Sequence, residues 1–180
     1  MSTLFVNNLN TASGTDITIP TGKKLVVADT GAITAPGMII QTVDGTDGTQ
    51  TSHSSTSFTA SNLSVTITPK FATSKILVGY GITCYGTVNQ EHLKIQVYRS
   101  IGGATATAIV GNSWGLSAAS NGTGASMNSQ SNIFHDSPNT TSSTVYTVYG
   151  APHDGGSGTG TMYFNINGTR GQMFAMEIAQ

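Results

Sequence analysis

Charged side chains are scarce in this sequence. Seven Lys and Arg and eight Asp and Glu account for 8% of its 180 residues and give a formal net charge of -1. Soluble proteins carry about 25% charged residues on average. The basic residues are dispersed along the chain, so it lacks the positive patch with which proteins bind nucleic acid. We therefore expect no binding to nucleic acid. The chain also lacks a basic amphipathic segment and an apolar run of membrane-spanning length, so we expect no insertion into a membrane.

Cysteine occurs only once, at position 84, which excludes an intramolecular disulfide framework. Cys84 stands in the apolar run ITCY (residues 82–85), and this context predicts a buried, inert thiol rather than a nucleophile. The N-terminal residues show neither the basic nor the apolar region of a signal peptide. We therefore expect the chain to be made in a cytoplasm.

Small polar residues take the place of charge: the chain contains 28 Thr, 20 Ser and 22 Gly. Such a composition can accompany disorder, because small polar side chains bury too little surface to offset the chain entropy. Here 37% of the residues are hydrophobic and are concentrated in short alternating runs. Thr also favours strands, since its branched Cβ suits a pleated surface. The composition therefore predicts a folded β-protein.

The alternation of apolar and polar residues from position 38 onward predicts a series of strands. Leu63, Val65 and Ile67 alternate with Ser and Thr, and the run from Lys75 to Tyr85 has the same period of two. Residues 44–48 read as a turn, 49–57 as a loop or edge segment, and 113–130 as a long loop. No helical pattern is present. The predicted strands lie at 38–43, 58–68, 75–85, 93–98, 107–110, 133–135, 144–149, 161–167 and 172–178. Their spacing predicts an antiparallel β-sandwich, jelly-roll-like, over residues 38–180.

Residues 1–37 form a different segment, in which small apolar clusters alternate with turn signals. Each cluster has the length of a strand but is too small to bury itself, so the segment needs a partner surface. We predict an extended, β-rich segment for attachment or trimerisation, which ends at the break APG (residues 35–37). The candidate attachment residues are Leu4, Phe5, Val6, Leu9, Ile17 and Ile19.

Catalytic patterns are lacking. The four His residues show no metal-ligand spacing. Asp44, Asp47, Asp136 and Asp154 neighbour turn residues, where an Asp side chain commonly bonds its own backbone. Glu91 and Asp154 could in principle form the carboxylate pair of a polysaccharide depolymerase, although nothing in the sequence selects them. We therefore predict no enzyme, no cofactor and no metal site.

Trp114 is the one large aromatic residue in a polar stretch. It could plug its loop onto the core or stack on a sugar ring, and both interpretations stay open. The candidates for surface recognition are Trp114, His153 and Asp154. The Tyr and Phe residues within strand patterns are predicted to pack in the core or along one face of a sheet.

Five segments cover most of the predicted ordered part of the chain: LFVNNLNTASG (residues 4–14), ITIPTGKKL (17–25), TAPGMIIQ (34–41), VTITPKFATSKILV (65–78) and GQMFAMEI (171–178). These segments resemble parts of tail-fibre-like proteins from marine and cyanobacterial bacteriophages. Similar segments recur in phage appendages of several kinds.

The resemblance implies a virion protein that forms a homotrimer, with residues 1–37 bound to tail or capsid proteins and a β-sandwich head pointing outward. The head would touch the host surface, with glycan as the expected ligand. The chain lacks the long shaft of most receptor-binding fibres, which keeps open a capsid-decorating head fibre or a tail adaptor. A polysaccharide-degrading enzyme and a soluble cellular lectin are further alternatives.

Overall fold

A computed structural model describes residues 19–26, 33–87, 92–109, 113–120, 125–153 and 160–180. The chain divides into two compact units, residues 1–33 and residues 34–180. Of the candidate attachment residues, only Ile19 is among the described residues; Leu4, Phe5, Val6, Leu9 and Ile17 lie outside them. The predicted role of residues 1–37 remains a prediction.

The described residues of the second unit form eleven strands and one turn of 3-10 helix, Ile166–Gly168. The strands are β1 (Ile39–Asp47), β2 (Thr51–His53), β3 (Thr59–Ile67), β4 (Lys75–Gly86), β5 (His92–Ile101), β6 (Thr107–Ala108), β7 (Ser117–Ser120), β8 (Ser126–Asp136), β9 (Thr144–His153), β10 (Met162–Phe164) and β11 (Gly171–Ile178).

The strands form two antiparallel sheets. In sheet A, β4 pairs with β8 along one edge and with β11 and then β10 along the other, while β1 pairs with β11 and β2 with β10. In sheet B, β9 lies between β3 and β5, and the second edge of β5 pairs with β6 and β7. The predicted all-β antiparallel sandwich is confirmed. No helix in the described part of the chain is long and apolar enough to cross a membrane.

One hydrophobic core lies between the sheets, because every second side chain of a strand points inward. The predicted apolar faces of β3, β4 and β5 are all buried there. The buried apolar side chains on these three strands are Leu63, Val65, Ile67, Ile76, Val78, Tyr80, Ile82, Cys84, Leu93, Ile95 and Val97. From β9, β10 and β11 come Tyr146, Val148, Met162, Phe164, Met173 and Ala175.

Two predicted loops are wrong. Residues 44–48 were expected to turn, but β1 continues through Gly45 to Asp47 and pairs with β11 over that length. Residues 113–130 were expected to be a loop, but they contain β7 and the first part of β8. Small and polar residues occupy these strands because tertiary pairing can override weak local propensity. The segment 49–57 does contain an edge strand, β2, as predicted.

The described part of the first unit is a turn rather than a strand. Lys23 N–H donates to the carbonyl of Pro20 at 3.0 Å, and Gly22 has a φ of 78°, so a turn forms at PTG (residues 20–22), one of the turn signals of this segment. Residues 24–26, part of one of the small apolar clusters, are not in a strand, and residue 27 lies outside the described residues. Ile19, Leu25 and Val26 are exposed in this unit.

The sequence predicts that Asp side chains near turns accept hydrogen bonds from the nearby backbone. Among the described residues, Asp47 confirms this prediction. Asp47 Oδ1 accepts the N–H of Thr49 at 3.0 Å. Asp136 differs, because it ends β8 and forms an ion pair with Arg99 at 2.7 Å. The hydroxyl of Tyr146 donates to the same carboxylate at 2.7 Å. Asp136 therefore joins the two sheets, a role that only their packing could reveal.

Cys84 is fully buried in the core, as predicted. Burial raises the pKa of its thiol far above the ordinary value, because the thiolate would lose its hydration there. The thiolate is the form that reacts with electrophiles. The residue is therefore structural in the folded chain.

We expect Cys84 in the native protein to resist alkylation by iodoacetamide at pH 8 and to react fully in urea. Mass spectrometry of the intact chain would measure the incorporation. A Ser131→Cys variant provides the control, because Ser131 is exposed and a thiol there should add one label under native conditions. Labelling of native Cys84 at the rate of the exposed control would contradict its assignment to the core.

Candidate functional site

The outer face of sheet B carries a cluster of rings. Because Leu93, Ile95 and Val97 point into the core, the residues that alternate with them on β5 point outward. On β9, His153 lies directly opposite His92 in the strand register. We call the cluster the aromatic platform and define it as Phe58, His92, Tyr98, Trp114, Tyr149 and His153.

Trp114 lies at one end of the aromatic platform, against both histidines. Its ring centroid is 5.3 Å from that of His92 and 5.0 Å from that of His153, with nearly perpendicular planes. The two imidazoles stack on each other at 6.0 Å. Trp114 is 47% exposed and lies outside the hydrophobic core, so it does not plug its loop into that core.

Gly115 explains how the chain brings Trp114 to this face. Its φ of 75° lies in the left-handed region, and a Cβ at this position would overlap the carbonyl oxygen of Ile95. The next residue, Leu116, donates its N–H to that same carbonyl at 2.8 Å. The segment therefore crosses close above β5, and only glycine allows that approach.

The other end of the aromatic platform contains Tyr98, Tyr149 and Phe58. Tyr98 and Tyr149 stack with centroids 4.0 Å apart, and Phe58 lies 6.4 Å from Tyr98. All three rings are half-buried. This arrangement confirms that the strand tyrosines pack along one face. Rings of this kind offer flat apolar surface with polar atoms at their edges, which suits ligands such as sugars.

The predicted recognition residues are thus brought together in part. Trp114 and His153 are in contact, whereas Asp154 lies outside the described residues. Four further members of the cluster were not predicted as recognition residues: His92, Phe58, Tyr98 and Tyr149. Period-two patterning places His92 and Tyr98 on one face of β5, but the pairing of β5 with β9 could not be read from the sequence.

A second concave surface lies on the outer face of sheet A. It has a volume of about 790 Å³, and we call it the sheet A groove. Gly81 and the ring of Phe174, which lies over Gly79, line its floor. Asp44 and Arg170 add one charge of each sign, and Ile133 is an exposed apolar wall. The two glycines of β4 differ here, because the ring of Phe174 packs on Gly79 whereas nothing lies within 4 Å of a Cβ built at Gly81.

No group of three or more His, Cys, Asp or Glu side chains that could hold a metal ion occurs among the described residues. Glu91 and Asp154, the carboxylate pair weighed from the sequence, both lie outside them. His53, another of the histidines, is buried, and burial lowers its pKa. Its ring bonds to the hydroxyls of Thr51 and Thr59, which is a structural role.

The protein is therefore an antiparallel β-sandwich that carries the aromatic platform on the outer face of sheet B. No protein-family model and no curated protein matches the chain. Among solved structures it is similar to a chain in the structure of infectious bursal disease virus, Gx strain, with 16% identity and a TM-score of 0.41. The match covers 87% of this chain but spans only 42% of that viral chain. Similarity at this level does not establish a functional relationship.

Proposed function

We propose that the protein is a non-enzymatic structural protein of a bacteriophage virion, a short homotrimeric fibre whose sandwich head binds a glycan of the host surface. The observation that carries the binding role is the half-exposed Trp114, which packs edge-on against two stacked histidines on the outer face of sheet B. The phage setting is supported by the segments of sequence that resemble phage appendages. The charge-poor composition also suits assembly, since copies can pack without burying unpaired charge.

Adsorption tests the binding role. We expect the purified full-length protein to compete with phage for host cells, and Trp114→Ala to weaken this competition about tenfold or more, because truncating a central interface Trp removes a large contact. Phe71→Ala is the matched control, since Phe71 is an exposed aromatic residue that is not part of the platform. A well-folded protein that never competes, or two variants that compete equally, would contradict the binding role.

A capsid-decorating head fibre or a tail adaptor is the second candidate. The exposed apolar side chains of the first unit, Ile19, Leu25 and Val26, favour it, because such residues suit a protein partner. This role predicts contacts with capsid or tail protein and a copy number that matches a symmetry axis of the particle. Electron microscopy of intact virions, with a count of copies, would separate it from a fibre that touches the host. A stable monomer in solution would remove both.

A further inference from the structure

Lys94 is a cation in an unusual position. Its side chain lies on the outer face of sheet B, the same face of β5 as His92, because the two residues are two positions apart. The residue is nevertheless only 7% exposed. Its ammonium lies 5.3 Å from the ring centroid of Phe58. Gly115, next to Trp114, also approaches Phe58, since a Cβ there would lie 3.2 Å from the tip of that ring. The buried lysine therefore lies against Phe58, at one end of the aromatic platform.

This buried cation has no anionic partner in the described part of the chain. The ion pair there joins Arg99 to Asp136, and no carboxylate or hydrogen-bond acceptor is assigned to Lys94. Lysine is rarely buried so far unless it is paired. Burial also lowers the pKa of Lys94, because the ammonium loses hydration there. The contact with Phe58 compensates only in part, because a cation–π contact is weaker than a charge-assisted hydrogen bond.

An anion supplied by a ligand would complete this arrangement. Lys94 is two residues from His92, about 7 Å along the strand, and the ring of His92 touches Trp114. A ligand stacked on Trp114 would thus lie near the two imidazoles and on the same face of sheet B as the ammonium. The ring of Trp114 offers a flat apolar surface, and Lys94 offers a positive charge. A sugar ring that carries an acidic substituent would suit both.

We propose that the aromatic platform binds an acidic saccharide, with a sugar ring against Trp114 and a carboxylate, sulfate or phosphate group directed to Lys94. This inference rests on the proposed glycan-binding function and narrows it to one chemical class. The acidic residues next to the two histidines in sequence, Glu91 and Asp154, lie outside the described residues. A double variant of these two residues tests their contribution.

The fluorescence of Trp114 gives a readout at the site itself, because it is the one Trp in the chain. The probes are dextran, carboxymethyl-dextran and dextran sulfate, which share one glucan backbone and differ in charge. We expect carboxymethyl-dextran or dextran sulfate to change the emission at concentrations at least tenfold lower than dextran does. Poly-L-glutamate, a polyanion without sugar rings, should be a weak ligand.

Three variants test the role of the ammonium. Lys94→Met keeps the length of the side chain but removes the charge, and should weaken binding of the acidic dextrans about tenfold while leaving dextran unchanged. Lys94→Arg should retain the preference for acidic probes. Lys75→Met is the matched control, because Lys75 is an exposed lysine of sheet A, and it should behave as the wild type.

Equal binding of charged and neutral dextrans by the wild type would overturn the acidic-saccharide assignment and leave glycan binding intact. A response to poly-L-glutamate as strong as to dextran sulfate would show a general polyanion site and would also overturn it. So would weaker binding in a Glu91→Gln/Asp154→Asn double variant, since carboxylates would then hold the sugar. Failure of every dextran to change the emission would overturn the inference, whereas failure to compete for host cells would remove the proposed function itself.

Discussion

Replacing Glu177 by Gln is expected to lower the free energy of unfolding by about 3 kcal/mol and the melting temperature by about 6 to 12 °C. Glu177 is fully buried in β11, and no cation pairs with it among the described residues. Its carboxylate accepts hydrogen bonds from four groups instead. The donors are the backbone N–H of Lys70 and of Phe71, the hydroxyl of Ser74 and the side-chain amide of Gln41.

An amide cannot replace this carboxylate. Oε1 accepts from Ser74 Oγ at 2.8 Å, and Oε2 accepts from Gln41 Nε2 at 2.6 Å, so both oxygens are used. In the Gln variant one of them becomes an NH2 group that faces donors. A buried donor without an acceptor costs about 1 to 3 kcal/mol, and hydrogen bonds to a charged group are stronger than neutral ones.

The effect should depend on pH in a definite direction. Burial by itself would raise the pKa of Glu177, but the hydrogen bonds outweigh it and hold the pKa below the ordinary value of 4.5. A carboxyl whose pKa is lower in the folded state stabilises the fold above its unfolded pKa and loses this contribution as the pH falls. The difference between wild type and Glu177→Gln should therefore be largest at pH 7 and shrink below about pH 4.5.

Urea unfolding at fixed protein concentration, at pH 7 and at a series of lower pH values, would measure this difference. Asp44→Asn is the matched control, because Asp44 is an exposed carboxylate on β1, and it should change stability by less than about 0.5 kcal/mol. If Glu177→Gln and Asp44→Asn proved equally stable, or if the difference stayed constant down to pH 2, the hydrogen-bonded carboxylate would not have the role assigned to it.

Replacing Gly45 by Ala is expected to destabilise the sandwich by about 3 kcal/mol. Gly45 lies in β1 of sheet A, where the strand passes close to β3 of sheet B. A Cβ at this position would overlap the carbonyl oxygen of Ser64, which belongs to a paired strand and cannot move as a side chain could. The two strands would have to separate, and the core beneath them would lose packing.

Gly81→Ala is the control for this prediction. Gly81 also lies within a strand of sheet A, but a Cβ there meets nothing within 4 Å. Ala should be neutral or slightly stabilising at Gly81, because it reduces the entropy of the unfolded chain. Thermal unfolding of both variants followed by circular dichroism would show the contrast. Similar melting temperatures for the two would mean that β1 and β3 do not approach as closely as the structure describes.

Period-two patterning predicted the buried faces of β3, β4 and β5, because alternation is a local property of a strand. Leu63, Val65 and Ile67 point into the core as their spacing required. Turn-forming residues were misleading at 44–48, where Asp and Gly indicate a turn. That segment is a strand because β11 pairs with it, and pairing between residues more than a hundred positions apart leaves no local signal.

The candidate site was predictable only in part, for the same reason. Trp114 and His153 could be singled out by their residue types and context, but their contact depends on the close passage of Gly115 over β5. The partners of Glu177 and Asp136 were likewise hidden, because Glu177 bonds to residues more than a hundred positions away and Asp136 pairs with Arg99 on the other sheet. Glu177 could be assigned to a strand, but not to a buried acceptor site.

The sequence by itself determined the fold class, the inward faces of the main strands and the burial of Cys84, since hydrophobic alternation acts residue by residue along the chain. Only the tertiary structure decided which strands are neighbours, and with that the aromatic platform, the buried Lys94 and the buried carboxylate of Glu177. The physical reason is that strand pairing and the packing of two sheets depend on contacts between distant residues, whose free energies cannot be read from any short stretch of sequence.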